Sequence, residues 1–201
     1  VLKGMGLTGT FDGNGHTISN FTVGDSGIFG SLNNATIKNV NFKGVKIDLT
    51  RKIPGWNYGG ILAAKAVDTT IENVNATFVE FKVTAGYNDP NGNTTKYHWG
   101  LLVAEGTENV FYNNVTMDVT ACGNNLYSIF GSFVKSLSAI NVKVVMSQTM
   151  VDWMQSNYGG IIYGYTDSKE TKITTAIEGV TIVTKNFAIT NTEETIALGE
   201  S

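Results

Sequence analysis

The chain has 201 residues, of which 15% are charged, and a formal net charge of −3. That length supports one sizeable core and one domain, and so sparse a charge excludes the clustered basic footprint of a nucleic-acid binder. No apolar run reaches the roughly 18 residues of a membrane span, and the lone cysteine, Cys122, excludes an internal disulfide framework or a CxxC metal site. The first residues lack the layout of a secretory signal, and a start at Val1 rather than Met leads us to expect a piece of a longer protein. With 23 Gly, 21 Asn and only 2 Pro, and with short apolar and polar alternations in place of helical periodicity, the class expected is all-β.

Taken in chain order, six segments share one frame: "TISNFTV" at 17, "TIKNVNF" at 36, "TIENVNA" at 70, "FYNNVTM" at 111, "SAINVKV" at 138 and "AIEGVTI" at 176. Their common pivot is Asn20, Asn39, Asn73, Asn114, Asn141 and Gly179. One residue past the pivot stand Phe21, Val40, Val74, Val115, Val142 and Val180, and three past it Val23, Phe42, Ala76, Met117, Val144 and Ile182, all apolar. The residues between them are polar, so each segment after the pivot reads as a strand with one buried face. Two residues before the pivot come Ile18, Ile37, Ile71, Tyr112, Ala139 and Ile177. In an unbroken strand these would face away from the positions at +1 and +3. The chain must therefore rotate at the pivot, and Asn and Gly enter the left-handed region at least cost.

A second element precedes each pivot but the first: "GIFG" at 27, "GILA" at 60, "GLLV" at 100, "SIFG" at 128 and "GIIY" at 160. Each is expected to be a short apolar strand. Its distance to the pivot is 12, 13, 14, 13 and 19 residues, whereas successive pivots lie 19, 34, 41, 27 and 38 apart. The extra length falls in loops after the pivot strand, such as "RKIPGWNY" and "GYNDPNGNTTKYHW". Constant strands, an Asn corner and loops of uneven length predict a right-handed parallel β-helix, a solenoid of about six coils with variable loops on one side. A single β-helix domain over 1–201 is expected. Its open ends would be covered by further chain of the same polypeptide or by identical copies.

The run "GTFDGNGHTISNF" with "GIFG", "IKNV", "YGGIL" and "IENV" resembles the repeats of bacterial surface β-helix proteins, including those with GLUG-type repeats, and their pectin-lyase-like architecture. The resemblance covers roughly residues 9 to 183. It implies an extracellular adhesive or scaffold protein of a bacterial cell surface; similar β-helices also occur in phage tail proteins and in polysaccharide-degrading enzymes.

Candidate sites are few. "FDGNGH" offers one carboxylate, Asp12, where a Ca²⁺ loop needs several, and no helix follows to hold a phosphate, so it reads as the turn leading into the first corner at Asn20. His16, His98 and Cys122 have no partners in sequence to complete a metal site or activate a thiol, and no cofactor is expected. A β-helix glycosidase or lyase needs convergent acidic or basic groups; beside the corners stands only Asp118, with Asp48, Glu80 and Asp152 in other frames. Aromatic residues make the better candidate. Tyr58, Trp99, Tyr127 and Tyr158 stand just before the "GI" element, and Trp56, Tyr97 and Trp153 lie in the loops leading there. Gathered along one edge they could hold a glycan or a protein ligand, or they could form a ladder that seals the core. The function expected is non-catalytic attachment or scaffolding outside the cell or on a virion; a polysaccharide lyase or glycoside hydrolase, and a purely structural filament, are the alternatives.

Overall fold

The computed structural model of the chain describes residues 5–50, 55–83, 95–120, 129–131, 136–152, 174–178, 181–185 and 193–197. Its strands are β1 (Leu7–Asp12), β2 (Thr17–Ser19), β3 (Thr22–Val23), β4 (Gly30–Lys43), β5 (Lys46–Leu49), β6 (Gly55–Gly59) and β7 (Ala63–Thr77). There follow β8 (Glu80–Val83), β9 (Thr95–Trp99), β10 (Val103–Asp118), β11 (Ser136–Ser147), β12 (Thr174–Glu178), β13 (Thr181–Lys185) and β14 (Glu193–Ala197). The described residues are all-β apart from a short helical stretch at residues 148–152.

Among the described residues, the largest sheet runs β1-β4-β7-β10-β11-β13-β14, with β2 also on β4 and β12 on β11. Two smaller sheets are β3-β5-β8 and β6-β9. All pairs are parallel except β13 with β14. Parallel neighbours need a crossover, and here further strands supply it. After β4 the chain adds β5 to the three-stranded sheet and β6 to the two-stranded one, then returns as β7 beside β4. The circuit repeats through β8 and β9 to β10.

The strands of the large sheet are long but bent. Asn39, Asn73, Asn114 and Asn141 have φ of 53°, 51°, 52° and 52°, in the left-handed region where Asn is tolerated. Each rotates the chain so that the buried positions step by three across the bend and by two on either side: Ile37, Val40 and Phe42; Ile71, Val74 and Ala76; Tyr112, Val115 and Met117; Ala139, Val142 and Val144. Equivalent residues lie in register, so Ile37, Ile71, Tyr112 and Ala139 form one column and Phe42, Ala76, Met117 and Val144 another. Large beside small fills the core: Phe42 and Met117 flank Ala76, and Tyr112 neighbours Ala139 while its ring packs 4.8 Å from that of Phe130. Each such aliphatic side chain removed from water contributes about 1.5–3 kcal/mol.

A second bend in the same strands is absent from the sequence reading. Asn34, Asp68 and Asn109 have φ of 49°, 47° and 52° and lie five residues before the first set. The step of three recurs there, from Leu32 to Ala35 and from Ala66 to Thr69. Thr69 is a buried polar residue whose hydroxyl donates to the Val67 carbonyl at 2.9 Å.

Two local expectations need correction. Four of the "GI" elements are not strands at their apolar pair: residues 28–29 form a turn and residues 61–62, 101–102 and 129–130 are bends, while "GIIY" at 160 lies outside the described residues. They still stack, since Ile28 N–H donates to Ile61 O, Ile61 N–H to Leu101 O and Leu101 N–H to Ile129 O, all at 2.9–3.0 Å. Packing at this bend leaves no room for a side chain at Gly100, where a Cβ would lie 2.6 Å from Gly131 N. The first copy is also displaced. Thr17, Ile18 and Ser19 pair with Asn41, Phe42 and Lys43, and Asn20 N–H donates to Lys43 O at 2.9 Å. Asn20, with φ 56°, therefore sits level with Gly44, one bend later than the Asn39 row. The residues opposite Asn39 are those of "DGNG", which are the corner itself with two residues added: Gly13 N–H donates to Lys38 O at 2.8 Å and Gly15 N–H to Asn39 O at 2.7 Å. Ile18 neighbours Phe42 but is 37% exposed, because among the described residues no further strand pairs with the other side of β2.

Candidate functional site

Three rows of polar side chains run across the strands. In the first, Asn114 Nδ2 donates to Asn73 Oδ1 at 2.8 Å, Asn73 Nδ2 to Asn39 Oδ1 at 3.0 Å, and Asn39 Nδ2 to Asp12 Oδ1 at 3.1 Å. Asn141 is in register with this row, Asn20 is outside it, and Gly179 lies outside the described residues. Asp12 Oδ1 also accepts from Asn14 N at 2.9 Å, and Lys38 Nζ stands 3.6 Å from Oδ2. The Asn14 amide above all, then the Asn39 amide and Lys38, hold the Asp12 carboxyl below its ordinary value. The second row joins Asp68 Oδ1 to Asn109 Nδ2 at 2.9 Å and Asn109 Oδ1 to the Ser136 hydroxyl at 2.9 Å. The third joins Asn75 Nδ2 to Asn41 Oδ1 at 2.7 Å and Asn41 Nδ2 to Gly15 O at 3.2 Å.

The aromatic candidates divide. β6 and β9 pair in parallel with Trp56 opposite Lys96, Asn57 opposite Tyr97, Tyr58 opposite His98 and Gly59 opposite Trp99, so the backbones carrying four of the seven aromatics are adjacent. Tyr127, Trp153 and Tyr158 lie outside the described residues. Tyr58 is half-buried, and Lys65 Nζ stands 5.9 Å from its ring centroid. The same ammonium is 3.1 Å from Glu105 Oε1. Glu105 is 8% exposed at its side chain and Lys65 58%, so the carboxylate is sunk in the surface while the ammonium faces water. Burial pushes the Tyr58 phenol up, and the Glu105 charge adds to this against Lys65. This pair was missed in the sequence, although a signal was present: Lys65 and Glu105 stand five residues after the first Gly of "GILA" and "GLLV", opposite charges at one position of consecutive copies.

The acids do not converge. Asp48 Oδ1 accepts from the Thr50 hydroxyl at 2.6 Å and the Thr50 amide at 3.0 Å, and these hold its carboxyl below the ordinary value. Asp118 repeats the arrangement with Thr120 at 2.6 and 3.1 Å. Asp152 accepts from Gln148 Nε2 at 2.8 Å within residues 148–152, whose start is capped by the Ser147 hydroxyl. Glu80 is opposite Lys46 in the three-stranded sheet. Among the described residues no three of His, Cys, Asp and Glu gather as metal ligands would.

Comparison with known proteins yields no match to any family model, curated protein or solved structure.

Proposed function

We propose that the chain is a right-handed parallel β-helix of about six coils, and that it is a non-catalytic extracellular module for attachment or scaffolding on a bacterial surface or phage particle. The repeated circuit through three sheets is the arrangement such a coil requires, and parallel crossovers are nearly always right-handed. One observation carries the functional reading: Asn39, Asn73 and Asn114 are tied side chain to side chain across neighbouring strands, so the segments between those strands leave a rigid frame. Recognition by side chains on a rigid support follows from that. The β6–β9 edge, with Tyr58 over the Lys65–Glu105 pair, is the place we assign to a glycan ligand. Its chemistry fits, since an aromatic face takes the C–H side of a sugar and the neighbouring charges take hydroxyls. A glycan array run with the wild type and with Trp56→Ala, Tyr58→Ala and Trp99→Ala tests it. Binding lost in these variants supports the edge; undiminished binding refutes it.

A structural filament is the second reading, because among the described residues β1, β2 and β3 are each paired on one side only. End-to-end polymers in electron micrographs would favour it.

A further inference from the structure

The bend between the large sheet and the three-stranded sheet is built from Asn20, Gly44 and Phe78, with φ of 56°, 64° and 54°. Gly44 N–H donates to Thr77 O at 2.9 Å, which sets Gly44 level with Phe78. Asn and Gly accept the left-handed conformation at little cost, but a bulky aromatic residue there is an outlier. Burial does not compensate for it, since Phe78 is 60% exposed. Strain held at an exposed side chain points to a role for that side chain outside the fold.

The surroundings define the role. Lys43, in register with Thr77, places Nζ 5.9 Å from the Phe78 ring centroid. Asn75 and Thr77 precede the ring and the exposed Glu80 follows it, with Lys46 in register beside Glu80. Among the described residues the only other exposed large apolar side chains are Met5, just before β1, and Ile18 on β2. A protein interface needs an apolar patch of several hundred Å². One ring rimmed by amide, hydroxyl and charged groups instead matches a ligand with a C–H face and a polar rim.

We propose that Phe78 is a stacking platform for the pyranose ring of a glycan, at a site separate from the β6–β9 edge. It takes its ligand class from the attachment reading above and its position from the strained bend. Phe78→Asn removes the ring and puts at the bend the residue type found at position 20. The probes are dextran, xylan and polygalacturonate, each cast into native gels for affinity electrophoresis, with thermal melts run in parallel and Tyr58→Ala as the comparison. Expected are retardation of the wild type by at least one polymer, a tenfold or greater weakening in Phe78→Asn, and a rise in its Tm of about 2–4 °C as the strain is relieved. Full binding by Phe78→Asn, a fall in its Tm, or no retardation of the wild type by any polymer overturns the proposal. Loss in Phe78→Asn with full binding by Tyr58→Ala supports this site and removes the β6–β9 edge; the converse removes this site and leaves that edge standing.

Discussion

Asn73 is the middle of the first polar row, and its replacement separates two contributions that the native residue combines. It gives one hydrogen bond, to Asn39 at 3.0 Å, and receives one, from Asn114 at 2.8 Å. It also holds φ at 51°. Its side chain is exposed, so no core burial is lost with it. Exposed amide bonds fall at the low end of the usual range, about 0.5 kcal/mol each, so the row contributes about 1 kcal/mol through this residue. A left-handed alanine adds about 1–2 kcal/mol, whereas glycine avoids that strain and adds only its chain entropy. Asn73→Ala is thus expected to lose about 2–3 kcal/mol and Asn73→Gly about 1.5–2 kcal/mol. Asn73→Asp, which can accept from Asn114 but cannot donate to Asn39, should fall nearest the wild type. Urea unfolding followed by far-ultraviolet circular dichroism measures all three, with the slope checked for constancy. Equal losses for alanine and glycine would refute the left-handed bend as an energetic feature. A loss below about 0.5 kcal/mol in Asn73→Ala would refute the row as well.

Other outcomes follow from the packing and the charges. Gly100→Ala should cost about 2–4 kcal/mol, since its Cβ would meet backbone at 2.6 Å, while Gly24→Ala, whose nearest contact would be 3.8 Å away, should stay within about 0.5 kcal/mol; thermal melts compare them. Tyr112 is fully buried, burial pushes its phenol well up, and no described residue hydrogen-bonds its hydroxyl, so Tyr112→Phe should gain about 1 kcal/mol in urea unfolding. The Asp12 and Asp48 carboxyls are held below their ordinary values in the folded state. The stability they lend is therefore present above the unfolded carboxylate range and is lost as pH falls through the lower folded value. Tm should drop on acidification below about pH 4, and the drop should be shallower in Asp12→Asn, whose amide oxygen can still accept from Asn39.

Much of this fold was legible because a left-handed residue leaves two marks, a preference for Asn and a three-residue step in the buried positions. At Asn39, Asn73, Asn114 and Asn141 both marks are visible. At the earlier bend they are blurred: Asp68 breaks the Asn identity, and Thr69 puts a polar residue at a buried position. The place of the first copy is ambiguous in sequence for a related reason. Thr-Ile-x-Asn followed by an apolar residue fits either bend, and only hydrogen bonding to Lys43 decides for the later one. "GILA" and "GLLV" look like strands in sequence because a short apolar run marks a packed bend and a packed strand alike. The Tyr58–Lys65–Glu105 group was hidden because its members come from separate strands, and the strain at Phe78 appears only in the backbone angle.

The amides of Asn114, Asn73 and Asn39 all point their hydrogens the same way, toward Asp12. Aligned amides add as small dipoles, so the row has a positive pole where it meets the carboxylate, much as a helix does at its N-terminus. Asp12 can accept at that pole but, when ionised, has no proton to hand on. The row thus carries a direction, and a fixed negative charge sits at the end that favours it.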